Sequence, residues 1–229
     1  MSQTYIGTEL DLFAGAIHWK SYVARMLGPY IRGDVLDVGA GIGGNIAPMT
    51  NDRVRSWTAL EPDPGLAGRI AGGERIEVVV GTSGDLGEDV RFDTILYMDV
   101  LEHIADDRTE TERAARLLAP GGHLIVLVPS HGFLFSPFDA AIGHHRRYGL
   151  GQLRALRPKG CEPVFCRLLD SVGFFASLAN RLALRQNNPT ARQIAVWDRL
   201  MVPLSRTLDP LLGFRFGKSA LAVWHKPIT

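Results

Sequence analysis

The run Val35-Leu36-Asp37-Val38-Gly39-Ala40-Gly41-Ile42-Gly43-Gly44 constrains this chain more than any other stretch of it. A short β-type segment, Val35–Val38, passes straight into closely spaced glycines. Glycine enters left-handed backbone freely, so the chain can turn sharply there, bring its N–H groups up to a ligand and start a helix without side-chain collision. Dinucleotide-binding folds use a related Gly-x-Gly-x-x-Gly turn, so the glycines at 39, 41, 43 and 44 do not name the ligand by themselves. Two carboxylates narrow the choice. Asp37 lies two residues before the first glycine, and Glu61 stands at the end of the second β-rich run, where a carboxylate can accept from both hydroxyls of a ribose.

The glycine turn opens a series. Val35–Val38, Trp57–Leu60, Ile76–Val80, Thr94–Met98 and Leu124–Val128 are short apolar runs separated by helical or loop segments. Such strands read as a parallel sheet covered on both faces. Asp107–Leu118 reads as a helix that turns Ala114, Ala115, Leu117 and Leu118 inward and is stopped by Pro120-Gly121-Gly122. The βαβαβ order predicts an α/β, doubly wound fold. Ahead of it, apolar residues from Ile17 to Ile31 recur at helical spacing and end at Gly28-Pro29. Beyond Pro129 follow a polar loop, His131–Gly149, helical segments at Leu168–Leu184 and Ile194–Leu208, and a closing strand at Ser219–Val223. A single domain over residues 1–229 is expected: a helical lead-in (1–33), a ligand-binding core (34–130), a substrate-side loop with helices (131–215) and the closing strand (216–229).

Composition excludes several classes. With 25 Lys+Arg against 24 Asp+Glu the chain lacks the basic excess of a dedicated nucleic-acid binder. Cys161 and Cys166 have no His or Cys neighbours at ligand spacing and read as reduced core thiols, and no residue is assigned to a metal. No apolar run reaches the roughly 20 residues of a membrane span, though Phe174, Phe175, Leu178 and Leu182 could form core, a substrate wall or a membrane-surface face. The first residues lack a basic start followed by an apolar core, so a cytoplasmic protein is expected.

Taken together, Val35–Gly44, Ala59-Leu60-Glu61-Pro62-Asp63, Phe92–Ile104 with its Met98-Asp99-Val100-Leu101-Glu102-His103 core, and Leu117–Leu124 resemble the class I S-adenosylmethionine-dependent methyltransferases. That resemblance implies a Rossmann-like, mostly parallel seven-stranded sheet and S-adenosylmethionine as cofactor. It places Asp37, Gly39, Ala40 and Gly41 on the methionine end and Glu61 and Pro62 on the ribose. Thr82 and Ser83 would flank the adenine, and Asp99 and Val100 would face the methionine amine or the substrate mouth. Asp85 either reaches the adenine amino group or caps its own turn.

Methyl transfer needs few catalytic groups, because the sulfonium carbon is already electrophilic; the protein aligns the nucleophile, excludes water and, where required, takes a proton. His103, just past the fourth strand, is one candidate base; a structural role beside the cofactor is the other reading. The loop Gly143-His144-His145-Arg146-Arg147-Tyr148 resembles a segment of a bacterial methyltransferase subgroup associated with glycan and surface-polysaccharide assembly. It supplies His144 and Tyr148 as further catalytic candidates, and His145, Arg146 and Arg147 as candidate donors to an acceptor. Pinning of the loop and surface ion pairing are the structural alternative. The expected reaction is methyl transfer to an oxygen, less readily a nitrogen, of a small metabolite, sugar or glycan-linked acceptor. A nicotinamide-dependent reductase is a poorer reading because no lysine follows Tyr148 at the spacing such enzymes use. A noncatalytic S-adenosylmethionine-binding scaffold shares every cofactor feature and is separated only by turnover.

Overall fold

The computed structural model describes residues 8–179 and 190–228. Two helices, α1 (Thr8–Ala14) and α2 (Ile17–Leu27), lead into β1 (Gly33–Val38). The core continues through α3 (Ile46–Met49), β2 (Val54–Glu61), α4 (Pro64–Ala67), β3 (Ile76–Val80), β4 (Phe92–Met98), α5 (Asp107–Leu117) and β5 (Leu118–Pro129). Then come α6 (Pro137–Ala141), α7 (Leu150–Ala155), β6 (Glu162–Leu169), α8 (Ser171–Ala179), α9 (Ala191–Val196), α10 (Val202–Leu211) and β7 (Ser219–His225). The strands form one seven-stranded sheet in the order β3-β2-β1-β4-β5-β7-β6. β1, β2, β3, β4 and β5 pair in parallel, and β7 runs antiparallel to both β5 and β6.

Strand alternation divides the core into two. Leu36, Val38, Ile95, Tyr97, Leu124 and Val126 point to the face covered by Ala114, Ala115 and Leu117 of α5 and by Leu153 of α7. Val35, Trp57, Leu96, Met98, Ile125 and Leu127 point to the other face, under Tyr22, Val23 and Leu27 of α2 and Ile46 and Met49 of α3. A sheet buried on both sides needs helices on both sides, which is the doubly wound fold expected.

The directions of the strands decide what meets at the site. β1, β2, β4 and β5 all end at one edge, and antiparallel β7 begins there. Lys218, far away in the sequence, therefore arrives beside the loops that follow β4 and β5.

The second half differs from the sequence expectation. Leu168 and Leu169 close strand β6 instead of opening a helix; α8 spans Ser171–Ala179, and residues 180–184 of the expected segment, with Leu182 of the expected apolar wall, lie outside the described residues. β6 is hard to read because Pro163 and Arg167 interrupt its apolar run. Both are tolerated on a sheet edge, where β6 pairs only with β7. The helical run expected at Ile194–Leu208 begins at Ala191 and contains a π turn, Trp197–Met201, between α9 and α10. Pro203 lacks the N–H that would bond four residues back, and the ladder widens just ahead of it.

Buried carboxylates lock this half to the sheet. Asp209 accepts from the Tyr22 hydroxyl (2.8 Å) and from the backbone N–H groups of Asp170 and Ser171 (2.7 and 2.9 Å). Asp170 accepts from the Trp197 indole (2.7 Å) and the Ser205 hydroxyl (2.7 Å). Asp198 accepts from the N–H groups of His18 and Trp19 at the start of α2.

Candidate cofactor and acceptor site

The glycine turn follows β1 with Gly39, Gly41 and Gly43 at φ of 66°, 59° and 77°. A Cβ on Gly39 would lie 2.7 Å from Val100, so position 39 needs glycine for both its backbone and its space. The turn is tied to the end of β2: the N–H groups of Gly39 and Ala40 donate to the Leu60 carbonyl at 2.8 and 3.1 Å. Glu61 is buried and accepts from Gly41 N–H (2.8 Å) through one carboxylate oxygen and from Asp63 N–H (2.9 Å) through the other. Burial raises its pKa, and the two backbone donors hold it down. One lone-pair direction on each oxygen remains for a ligand.

A cavity of about 1570 Å³ opens at this carboxyl edge of the sheet. Its wall includes Gly39, Ala40, Gly41, Glu61 and Pro62 on the β1–β2 side, and Asp99, Val100, Glu102, His103, His144, Arg147 and Lys218 on the β4–β5 side. A pocket for one drug-sized ligand is roughly 300–1,000 Å³. This cavity therefore has room for a nucleoside-sized cofactor and a second molecule beside it.

Three expected cofactor residues are not on that wall. Asp37 shares the face of Val35, beneath α2 and α3, and is only 1% exposed. Neither of its carboxylate oxygens has a hydrogen-bond partner, and burial, reinforced by the nearby charge of Glu61, pushes its pKa up to about 7. Thr82 and Ser83 sit beside a 3-10 turn, where the Asp85 carboxylate accepts from the N–H (2.8 Å) and hydroxyl (2.7 Å) of Thr82. Asp85 thus caps its own turn.

The acceptor side is built from two loops. Asp99 ends β4 in left-handed backbone (φ 57°), a conformation Asp tolerates better than most residues, and its carboxylate opens onto the cavity. The protein walls around the cavity raise its pKa, against the opposing pull of His144, Lys218 and Arg147. His103 is held well below the ordinary range, at about 4, by burial and by the neighbouring His144. At neutral pH it is an uncharged imidazole. The rings of His103 and His144 meet edge to face with centroids 4.6 Å apart.

The loop after β5 supplies His144 and Arg147. Asp139 organises it: its carboxylate caps α6 through Ser136, accepts from His144 Nδ1 (3.1 Å) and takes both Nε and Nη2 of Arg147 (3.0 Å each). Burial works to raise the Asp139 pKa, but these partners outweigh it and hold the carboxyl well below the usual range.

The other three loop candidates do not reach the cavity wall. The Tyr148 hydroxyl is buried, its one proton shared between Asp107 (2.8 Å) and the Leu101 carbonyl (3.0 Å), and its pKa is raised by burial and by Asp107. Arg146 pairs with Asp107 and the Ala105 carbonyl on the outer side of the loop. His145 is exposed, and only its backbone N–H engages, donating to the Glu102 carbonyl at 2.7 Å. Tyr148 and Arg146 therefore pin the loop through their side chains and His145 through its backbone. Conversely, Glu102 and Lys218 belong to the site although neither was expected in it. Glu102 is read in sequence only as the neighbour of His103, and Lys218 carries no local signal. No residue was assigned to a metal, yet among the described residues the fold gathers Glu102, His103 and His144 into one cluster.

A methyltransferase-domain profile matches residues 17–172, more than half of the chain. The chain belongs to the methyltransferase-domain family. A demethylmenaquinone methyltransferase of Tropheryma whipplei (strain Twist) is 33% identical over 145 residues, 60% of each chain. A ubiquinone biosynthesis O-methyltransferase of Alkalilimnicola ehrlichii is 32% identical over 112 residues, 45% of this chain and 44% of the relative. The match thus spans 60% or less of either relative's length. A solved chain of the complex between the Haloferax volcanii Trm112 methyltransferase activator and a methyltransferase superposes with a TM-score of 0.68, at 18% identity over 99% of this chain and 100% of that one. That likeness is one of fold.

The residues of the site fit S-adenosylmethionine, the cofactor that the resemblance to class I methyltransferases implies. Glu61 keeps acceptor capacity on both oxygens for two ribose hydroxyls. Gly39 and Gly41 bring bare backbone to the cavity, where a side chain would intrude. When bound, S-adenosylmethionine supplies the electrophilic methyl; the chain's own residues bind, orient and exclude water.

Proposed function

We propose that this methyltransferase transfers its methyl group to a hydroxyl oxygen of a small acceptor, a sugar, phenol or related metabolite carried on an apolar group. One observation carries the choice of oxygen: Lys218, even with its pKa lowered by burial, and Arg147, whose charge Asp139 partly offsets, lie on the cavity wall beside Asp99. A hydroxyl acceptor gains negative charge as its proton leaves, which nearby cations stabilise. An amine acceptor gains positive charge, which they oppose. The acids and imidazoles alongside, Asp99, His103 and His144, supply acceptors for the hydroxyl proton.

The apolar part of the acceptor follows from the rest of the wall, which includes Phe13, Phe135, Phe138 and Trp197. Trp197 and Met201 line the cavity, and the same helical run exposes Leu200 (62%), Leu204 (56%) and Leu211 (77%). A row of exposed leucines on a cavity-lining helix supports an acceptor presented from a lipid surface or on a lipid carrier. No described helix is long and apolar enough to cross a membrane.

The test uses S-adenosylmethionine labelled in the methyl group and a panel of phenols, sugars and amines, each with and without a lipid tail. Label recovered as an oxygen-linked methyl, with higher kcat/KM for tailed acceptors, supports the proposal. Label found only on nitrogen or carbon contradicts it.

A further inference from the structure

We infer that Glu102, His103 and His144 form a binding site for one divalent transition-metal cation of the zinc class, open towards the acceptor, with Asp99 as a further carboxylate at its rim. This deepens the proposed function, since the ion would hold the oxygen that receives the methyl group.

Three observations carry it. One donor atom from each of the three residues lies within 4.8 Å of the other two. Ligands about 2.1 Å from a tetrahedral ion stand roughly 3.4 Å apart, so the set closes by side-chain rotation of about an ångström at the ligand atoms. Next, Glu102 is 0% exposed, and neither of its carboxylate oxygens has a hydrogen-bond partner. A buried carboxylate in that condition takes up either a proton or a cation, and here two imidazoles, themselves cation ligands, stand beside it. Finally, His144 is already oriented. Asp139 takes its Nδ1 at 3.1 Å, which leaves Nε2 facing inward, 3.9 Å from Glu102 Oε1. A carboxylate behind an imidazole fixes the tautomer and ring angle of metal-bound histidines, and Arg147 and Ser136 hold that carboxylate in place.

Donor chemistry selects the ion. Two imidazoles with a carboxylate suit zinc and its divalent neighbours, whereas magnesium and calcium prefer oxygen alone. Three protein ligands leave a coordination position open, on a wall that faces the cavity. An acceptor hydroxyl bound there loses its proton more readily, to Asp99 at the rim or to solvent, since His103 and His144 act as ligands when the ion is bound and not as proton acceptors. Its oxygen lone pair forms the new C–O bond, the methyl C–S bond breaks, and that electron pair goes to sulfur, leaving a neutral thioether. The ion keeps its oxidation state throughout.

The test is a calorimetric titration of the full chain with zinc chloride after dialysis against a chelator, repeated with cobalt(II) to read the visible bands of a low-coordinate site. One ion per chain is expected. Glu102→Gln, which keeps shape, and His144→Ala should each weaken zinc at least about tenfold, and Asp139→Asn, which reaches the ion only by way of the loop and His144 that it holds, by about tenfold. Binding of S-adenosylhomocysteine should stay unchanged in all three. If His144→Ala fails to fold, Glu102→Gln decides alone. Absence of stoichiometric zinc, or undiminished zinc binding in Glu102→Gln, overturns the inference. Zinc binding can fail while methyl transfer to oxygen persists, and the reverse, so each reading is judged separately.

Discussion

Replacing Glu61 tests the cofactor end most sharply. Each Glu61 oxygen already accepts one backbone N–H, from Gly41 at 2.8 Å and from Asp63 at 2.9 Å, so each offers one further lone-pair direction to a ribose hydroxyl. Hydrogen bonds to a charged partner contribute about 1.5–3 kcal/mol, and some of the loss is recovered from water. Glu61→Gln removes the charge and sets an NH₂ group against one of the two N–H donors. About 2–3 kcal/mol of cofactor binding should be lost, or roughly 30–150-fold in Kd. Glu61→Ala should lose at least as much, because Gly41 and Asp63 also lose their acceptor and the glycine turn loosens. The assay is isothermal titration with S-adenosylhomocysteine, with a thermal melt of each variant as control for folding. If both variants are folded and bind within twofold of the unaltered protein, Glu61 is not the ribose ligand.

Other outcomes follow from the same geometry. Asp37 keeps its proton in the folded protein up to about pH 7, whereas in the unfolded chain it loses it near 3.8. The folded state therefore holds the extra proton between those values, stability falls as pH rises through that window by up to about 4 kcal/mol, and Asp37→Asn should flatten the fall in urea unfolding at pH 5 and pH 8. An unchanged pH dependence in that variant would show that Asp37 ionises freely. Tyr148→Phe removes a buried hydroxyl whose proton two acceptors share and should cost about 1–3 kcal/mol of stability while kcat stays within a few-fold; a collapse of kcat with unchanged stability would return Tyr148 to the catalytic set. Asp209→Ala strands three buried donors, from Tyr22, Asp170 and Ser171, and should cost about 3 kcal/mol or more by chemical denaturation. A loss below about 1 kcal/mol would mean that this clamp contributes little.

The parallel half of the sheet was legible because its signals are local. Val35–Val38 running into glycines, Glu61 at a strand tip and Asp99 after Met98 are each specified within a few residues, and the fold puts Gly39, Gly41, Glu61 and Asp99 on one cavity. The acceptor side was legible only as a list of polar residues. Which of His144, His145, Arg146, Arg147 and Tyr148 face inward depends on how the loop docks against Asp107, Asp139 and Glu102, and that is tertiary information. Asp37 shows the limit from the other direction: its place in the motif suggests a ligand contact, but strand alternation buries it under α2 and α3. β6 was missed because an edge strand need not be apolar throughout, and with it went the sign that β7 would carry Lys218 to the site.

The account rests on S-adenosylmethionine occupying the cavity between the Gly39–Gly41 turn and Asp99. Titration calorimetry of the unaltered protein with S-adenosylhomocysteine, repeated in the presence of S-adenosylmethionine, reads this directly. One competitive site per chain is the result the account requires, and no heat and no thermal stabilisation at millimolar ligand would contradict it.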